Sequence, residues 1–227
     1  MKSITWLSPH DAPERFPPLE RALDEPQGLL AAGGDLSAAR LIAAYERGIF
    51  PWYSPGQPVL WWSPDPRAVL YPDEFRCSRS LAKTLRNRGF TTSIDRDFEA
   101  VIRGCAAPRG ASPEGCAGTW ITPEMRAAYL ELHHSGYAHS FETYLKERLV
   151  GGLYGVRLGR VFFGESMFSR ERDASKVALA RLVEYCQEES IVVIDCQVSS
   201  RHLASLGSRL IARAAFQDLL RLNIGAR

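Results

Sequence analysis

The 227-residue sequence predicts an α+β fold, in which a central mixed sheet with packed helices follows a small, turn-rich N-terminal part. Three observations lead there. Beyond about residue 62, apolar positions at helical spacing alternate with short apolar runs of strand type. Before it, Phe16-Pro17-Pro18-Leu19 and Asp24-Glu25-Pro26-Gln27-Gly28 interrupt any long element. The composition, 45% apolar and 24% charged, is that of a globular chain with material for one large domain or an ordinary domain plus a small one. Disorder, collagen-like repeats and coiled coil are excluded as descriptions of the whole chain.

Element by element, Ser37 to about Arg47 reads as a helix, with Asp35 or Ser37 as N-cap, an apolar face of Leu41, Ile42 and Tyr45, and Gly48 just past its end. A proline and aromatic cluster follows, from Phe50-Pro51-Trp52 to Trp61-Trp62-Ser63-Pro64-Asp65-Pro66-Arg67, and a domain seam is expected near residue 62, dividing the chain into 1–62 and 63–227. Ser80–Arg88 and Phe98–Gly104 read as short helices. Thr122-Pro123 is an N-cap followed by proline at the first helical position, opening a helix with Met125, Tyr129 and Leu132 on one face. Ser140–Leu145, Leu149–Val156 and Val161–Glu165 read as strands, the last two joined by a hairpin turn at Arg157-Leu158-Gly159-Arg160. Ala174–Gln187 is a helix, Ile191–Asp195 a buried β-branched strand, and about Ile211–Leu222 a last helix.

No apolar run approaches the roughly 18–20 residues of a membrane span. The first 18 residues have no apolar secretory core, so a cytoplasmic protein is expected. Five cysteines without a C-x-x-C pair fit reduced thiols better than a disulfide framework or structural zinc. Net charge is +2, divided into −2 over residues 1–62 (five Lys/Arg, seven Asp/Glu) and +4 over the rest, so any nucleic-acid surface must be local.

Four local patterns could carry chemistry. Arg79, Lys83 and Arg86 share one helical face, flanked by Arg76 and Arg88, with no acidic residue between Phe75 and Ile94; the stripe is either a solvated face or a phosphate-binding one. Trp52, Trp61, Trp62 and Trp120 lie in loop-like stretches, either as lids on the core or as platforms for a stacked base, each worth roughly 1–3 kcal/mol. Glu165, and Asp195 with Gln197, end apolar strands; either the strand has reached solvent there, or these groups hold a substrate amine or carbonyl. Asp173 or Ser175 can cap the helix that follows, and the free N–H groups beside Lys176 make a candidate anion site. A Cys196–His202 or Cys196–His139 nucleophile pair is a fifth pattern, weaker than these four.

Longer blocks then carry a resemblance. Gly28-Leu29-Leu30-Ala31-Ala32-Gly33-Gly34-Asp35-Leu36-Ser37, Arg47-Gly48-Ile49-Phe50-Pro51-Trp52, the Trp61 to Arg67 block and Gly118-Thr119-Trp120-Ile121-Thr122 resemble leucyl/phenylalanyl-tRNA–protein transferases. So do Gly164-Glu165-Ser166-Met167-Phe168-Ser169, Ile194-Asp195-Cys196-Gln197 and Ala204-Ser205-Leu206-Gly207. The resemblance runs from about Phe16 to Leu210. It implies a small N-terminal domain, a larger domain similar to GCN5-type N-acetyltransferases, and no metal or nucleotide cofactor. The implied activity moves Leu or Phe, and less well Met, from aminoacyl-tRNA to the N-terminal Arg or Lys of a protein, marking it for degradation. It implies Trp52 and Trp120 on the 3′-terminal adenine, and Arg79, Lys83 and Arg86 on the acceptor stem. Leu153, Phe162, Met167, Leu179, Leu182 and Ile194 would form the aminoacyl pocket.

The chemistry would be aminolysis of an activated ester by an amine whose pKa is ordinarily about 8. Holding amine and carbonyl in attack geometry can contribute roughly 7–11 kcal/mol. On this reading Gln197 binds near the amine or carbonyl, Asp195 polarises it or accepts a proton, and Glu165 orients the amine or pairs with the acceptor's cationic side chain. Asp195, Gln197 and Glu165 are thus the expected catalytic residues, in an enzyme expected to be a monomer. Two rivals remain. A CoA-dependent N-acetyltransferase would want glycines where Arg170-Glu171-Arg172-Asp173-Ala174-Ser175 has Asp and Ser. A non-catalytic RNA-binding module has no use for carboxylates at strand ends.

Overall fold

The computed structural model describes residues 3–107 and 120–225; Cys116 and the Gly118-Thr119 pair lie outside the described residues. The chain runs β1 (Thr5–Leu7), β2 (Leu29–Gly33), α1 (Ala38–Tyr45), β3 (Phe50–Pro51), β4 (Leu60–Trp62), β5 (Arg67–Leu70), α2 (Arg79–Asn87), β6 (Phe90–Ile94), α3 (Phe98–Ala106), α4 (Pro123–His134) and β7 (Ala138–Leu145). It continues with β8 (Arg148–Leu158), β9 (Val161–Ser169), α5 (Ala174–Glu188), β10 (Val193–Gln197), α6 (Arg201–Ser205), β11 (Arg209–Ile211) and α7 (Arg213–Asn223). The fold is α+β, as the sequence predicts. A four-stranded sheet is ordered β1-β2-β4-β3, and a seven-stranded mixed sheet β11-β5-β10-β9-β8-β7-β6.

Caps start the helices where their sequences place them. Ser37 accepts from the Arg40 amide and Thr122 from the Met125 amide, with Pro123 at the first helical position. The expected hairpin closes through Gly159 (φ +54°), where a Cβ would sit 2.3 Å from the Asn223 carbonyl oxygen, so glycine alone fits.

Strand alternation then sorts the core into two apolar layers. Leu153, Phe162 and Ile194 join Val177, Leu179 and Leu182 of α5 on one face of the large sheet. Tyr154, Phe163 and Val193 face the other way and join α1, α3, α4 and the small sheet through Tyr45, Val101, Tyr129 and Trp61. One expectation fails at the start of α5. Neither Asp173 nor Ser175 caps it: Asp173 stands at the N-cap in the left-handed conformation, but its carboxylate takes the Lys176 ammonium at 2.8 Å and the Thr84 hydroxyl at 3.5 Å. The Ser175 amide donates to Ser169 Oγ, so the chain's own groups stand where an anion was expected. Among the described residues no helix is long and apolar enough to cross a membrane.

Candidate active site

The cleft forms where two parallel strands part. β9 and β10 pair in register up to Asp195 opposite Phe163. There β10 bulges against β5, with Asp195 paired to Val69 and Gln197 to Ala68, so Cys196 is the extra residue. Gln197 follows with φ +63°, a left-handed conformation that costs a non-glycine residue of order 1–3 kcal/mol. Two bonds hold it: its amide donates to Asp195 Oδ1 at 2.9 Å, and its Nε2 donates across the gap to Glu165 Oε1 at 2.9 Å.

The two carboxylates have opposite surroundings, and neither ends its strand as expected: β9 continues past Glu165 to Ser169 and β10 past Asp195 to Gln197. Asp195 is fully buried and receives Arg67 Nε at 2.8 Å and Arg67 Nη2 at 2.6 Å, one on each oxygen. A carboxylate bonded on both oxygens by a buried guanidinium is charge-balanced where it stands. Its geometry makes it an anchor for Gln197 through the backbone amide. Arg67 is itself fixed by the Gly48 carbonyl at 3.1 Å and lies 4.8 and 4.9 Å from the ring centres of Phe50 and Phe216.

Glu165 has no cationic partner among the described residues. Its neighbours are neutral donors: Tyr45 Oη donates to Oε1 at 2.7 Å, Tyr129 Oη to Oε2 at 2.8 Å, and Gln197 to Oε1. Burial raises its pKa to about 7, with the Asp195 charge adding to the rise and the three donors opposing it. Burial likewise raises the Tyr45 and Tyr129 hydroxyls well above their ordinary range, so both are neutral donors.

These groups border a cleft of roughly 420 Å³ whose wall also carries Trp52 and Trp120. Trp52 is 45% exposed and is held from behind, its carbonyl accepting Trp62 Nε1 at 2.6 Å and its ring centre 5.7 Å from that of Trp62. Trp61, by contrast, is core, with its Nε1 on the Gly33 carbonyl. Leu153, Met167, Leu179, Leu182 and Ile194 supply an apolar wall. Phe162 does not reach it: the ring is completely buried behind the wall, edge-on to Phe141 at 5.8 Å.

Arg79, Lys83 and Arg86 stand outside the cleft, exposed on α2, and have no acidic partner among the described residues, while Leu81 of the same helix is buried in the layer shared with α5. The Cys196–His202 pairing finds no support. Burial and the Asp195 charge raise the Cys196 thiol far above the thiolate range, and burial lowers the His202 pKa. His139 is bound to Asp95 at 2.7 Å instead.

Sequence reasoning missed Tyr45, Tyr129 and Arg67, and the rim formed by Val198, Ser200, His202 and Leu203. A signal for the tyrosines existed, because a phenol on a buried helix face needs a partner for its hydroxyl.

Comparison with known proteins gives this geometry its context. The family model described as "Leucyl/phenylalanyl-tRNA protein transferase" matches residues 69–221, and that of the family's N-terminal domain matches residues 34–65. A leucyl/phenylalanyl-tRNA–protein transferase of Chromobacterium violaceum is 56% identical over 97% of this chain and 92% of its own length. One of Pseudomonas aeruginosa is 58% identical over 96% and 93%, and one of Azoarcus sp. 60% identical over 94% and 88%. Among solved structures, FemX matches at a TM-score of 0.46 and 11% identity over 80% of this chain and 70% of its own. A GCN5-related N-acetyltransferase from Kribbella flavida matches at 0.42 and 12% over 75% and 60%. The protein is thus an enzyme of the aminoacyl-tRNA transferase class. It belongs to the leucyl/phenylalanyl-tRNA–protein transferase family.

Proposed function

We propose that the protein transfers Leu or Phe, and less well Met, from aminoacyl-tRNA to the α-amine of an N-terminal Arg or Lys of acceptor proteins in the cytoplasm, marking them for degradation. The observation that carries this reading is that Trp52 and Trp120 share one cleft with Glu165 and Gln197. The indoles would hold the terminal adenine by stacking. Leu153, Met167, Leu179, Leu182 and Ile194 would take the aminoacyl side chain, with Phe162 stiffening the wall from behind. Gln197 would hold the ester carbonyl or the amine, Asp195 would fix Gln197, and Glu165 would receive the acceptor's cationic end. Residues 1–62 would form a small domain that brings Trp52 and Tyr45 to the catalytic domain of residues 63–227.

Radiolabelled Leu or Phe carried on tRNA is expected to appear on an Arg-starting peptide, and acetyl groups from acetyl-CoA are not. Label staying on tRNA, or arriving from acetyl-CoA, would overturn the proposal. The exposed α2 stripe gives a second expected outcome. Replacing Arg79, Lys83 and Arg86 together by Ala weakens aminoacyl-tRNA binding and flattens its salt dependence by about 2–3 in log–log slope, near 0.7–0.9 per lost phosphate contact. An unchanged slope would make the stripe a merely solvated face.

A further inference from the structure

Tyr45, Tyr129 and Glu165 close a ring. Tyr45 Oη lies 2.7 Å from Glu165 Oε1, Tyr129 Oη lies 2.8 Å from Oε2, and the two phenol oxygens are 2.5 Å apart. Three such edges between oxygens need three protons, because an edge without one brings two lone pairs face to face at hydrogen-bond distance. The phenols bring two. We infer that the third sits on Glu165, so that the ring holds a proton in the resting cleft and gives it up to water when the acceptor's cation docks there.

The surroundings fit a neutral acid. Glu165 faces Tyr45 from α1, Tyr129 from α4, Tyr154 from β8, and Asp195, Cys196 and Gln197 from β10; the guanidinium of Arg67 on β5 is spent on Asp195. The three tyrosines are neutral because burial raises their pKa values, and His202 on the rim has its own lowered by burial. Among the described residues no fixed positive charge is bonded to Glu165 to hold it ionised, and burial raises its pKa to about 7. A neutral Glu165 also spares the arriving tRNA end, whose phosphates are anionic, a like charge in a half-enclosed cleft. An entering ammonium or guanidinium reverses the balance, since an opposite charge within about 4–6 Å favours the carboxylate. Tyr45 and Tyr129 are on this account positioning residues that act through Glu165. The exchange rests on the transferase reading above, whereas the proton ring does not.

The test begins on the unliganded protein. A protonated-carboxyl C=O stretch is expected in the infrared spectrum at pH 6, lost as pH rises through about 7 and absent in Glu165→Gln at every pH. Tyr45→Phe and Tyr129→Phe each open the ring and leave one edge that the remaining phenol's own proton fills, so the band is lost at lower pH in both. In the transfer assay, the KM for an Arg-starting peptide is expected to fall several-fold between pH 6 and pH 8, and that fall is missing in Glu165→Gln. Circular dichroism checks that each near-isosteric variant is folded. A wild-type spectrum lacking a band that Glu165→Gln also lacks overturns the ring, and a KM falling equally in both proteins overturns the exchange. Because the infrared measurement needs no substrate, failure of the ring is distinct from failure of the transferase reading, which shows as no label on peptide at any pH.

Discussion

Arg67→Met is expected to destabilise the protein by about 3–5 kcal/mol, because it leaves the Asp195 carboxylate, fully buried, without its counter-charge. For a chain of this size that corresponds to a fall in Tm of about 6–20 °C. The loss has three parts in the structure: the two-pronged bond to Asp195, the Nη1 bond to the Gly48 carbonyl, and the packing of the guanidinium against Phe50 and Phe216. A second replacement separates charge from packing. Adding Asp195→Leu removes the stranded charge, and replacing both members of a buried pair with apolar groups is often neutral. The double variant should therefore regain most of the lost stability, less the unpaired Gly48 carbonyl. It should not regain transfer, since Gln197 loses the oxygen that its amide grips. Thermal melts of the three proteins decide it. A single variant melting within about 2 °C of the wild type, or a double as unstable as the single, would show that Asp195 does not depend on Arg67.

Glu165→Ala and Gln197→Ala are expected to lower kcat on the order of 10²-fold or more, a loss typical of misplaced reactants. The affinity for aminoacyl-tRNA should stay within about 3-fold. Trp52→Ala should do the reverse. Losing one stacking platform costs roughly 1–3 kcal/mol of nucleic-acid binding, or about 5- to 150-fold in Kd, with kcat at saturation little changed. The contrast follows from the chemical division of the cleft, which has two indoles at its mouth-forming loops and neutral and acidic hydrogen-bonding groups where the strands part. Single-turnover transfer and filter binding on the same variants check both halves. Should Glu165→Ala keep the full rate, the acceptor is not held by that carboxyl.

What the sequence made legible was whatever has a local cause. Ser37, Thr122-Pro123 and Gly159 announce helix starts and a hairpin because capping and positive φ are satisfied within a few residues. Glu165 and Asp195 stood out as charges ending apolar strands. What was missed depends on distant partners. β5 is four residues directly behind a proline, and it becomes a central strand only because β10 and β11, more than a hundred residues later, pair on both sides of it. β2 and β6 were hidden in the same way within turn-rich and threonine-rich stretches. At the site, Tyr45 and Tyr129 have the spacing of core residues and indeed are core; only the meeting of α1 with α4 over β9 turns their hydroxyls toward a carboxyl. The pairing of Asp195 with Arg67 was hidden for the same reason, since the two lie 128 positions apart.

The bulge at Cys196 has a wider consequence. Beyond Asp195 the strand leaves β9 but stays on β5, so Gln197 can reach Glu165 across the gap that opens, and acidic and aliphatic side chains alternate along the same two strands. Leu179 and Leu182 reach the cleft from α5 instead, so on the proposed reading reshaping them would change the size of the passenger while β9 and β10 keep Glu165 and Gln197 in place.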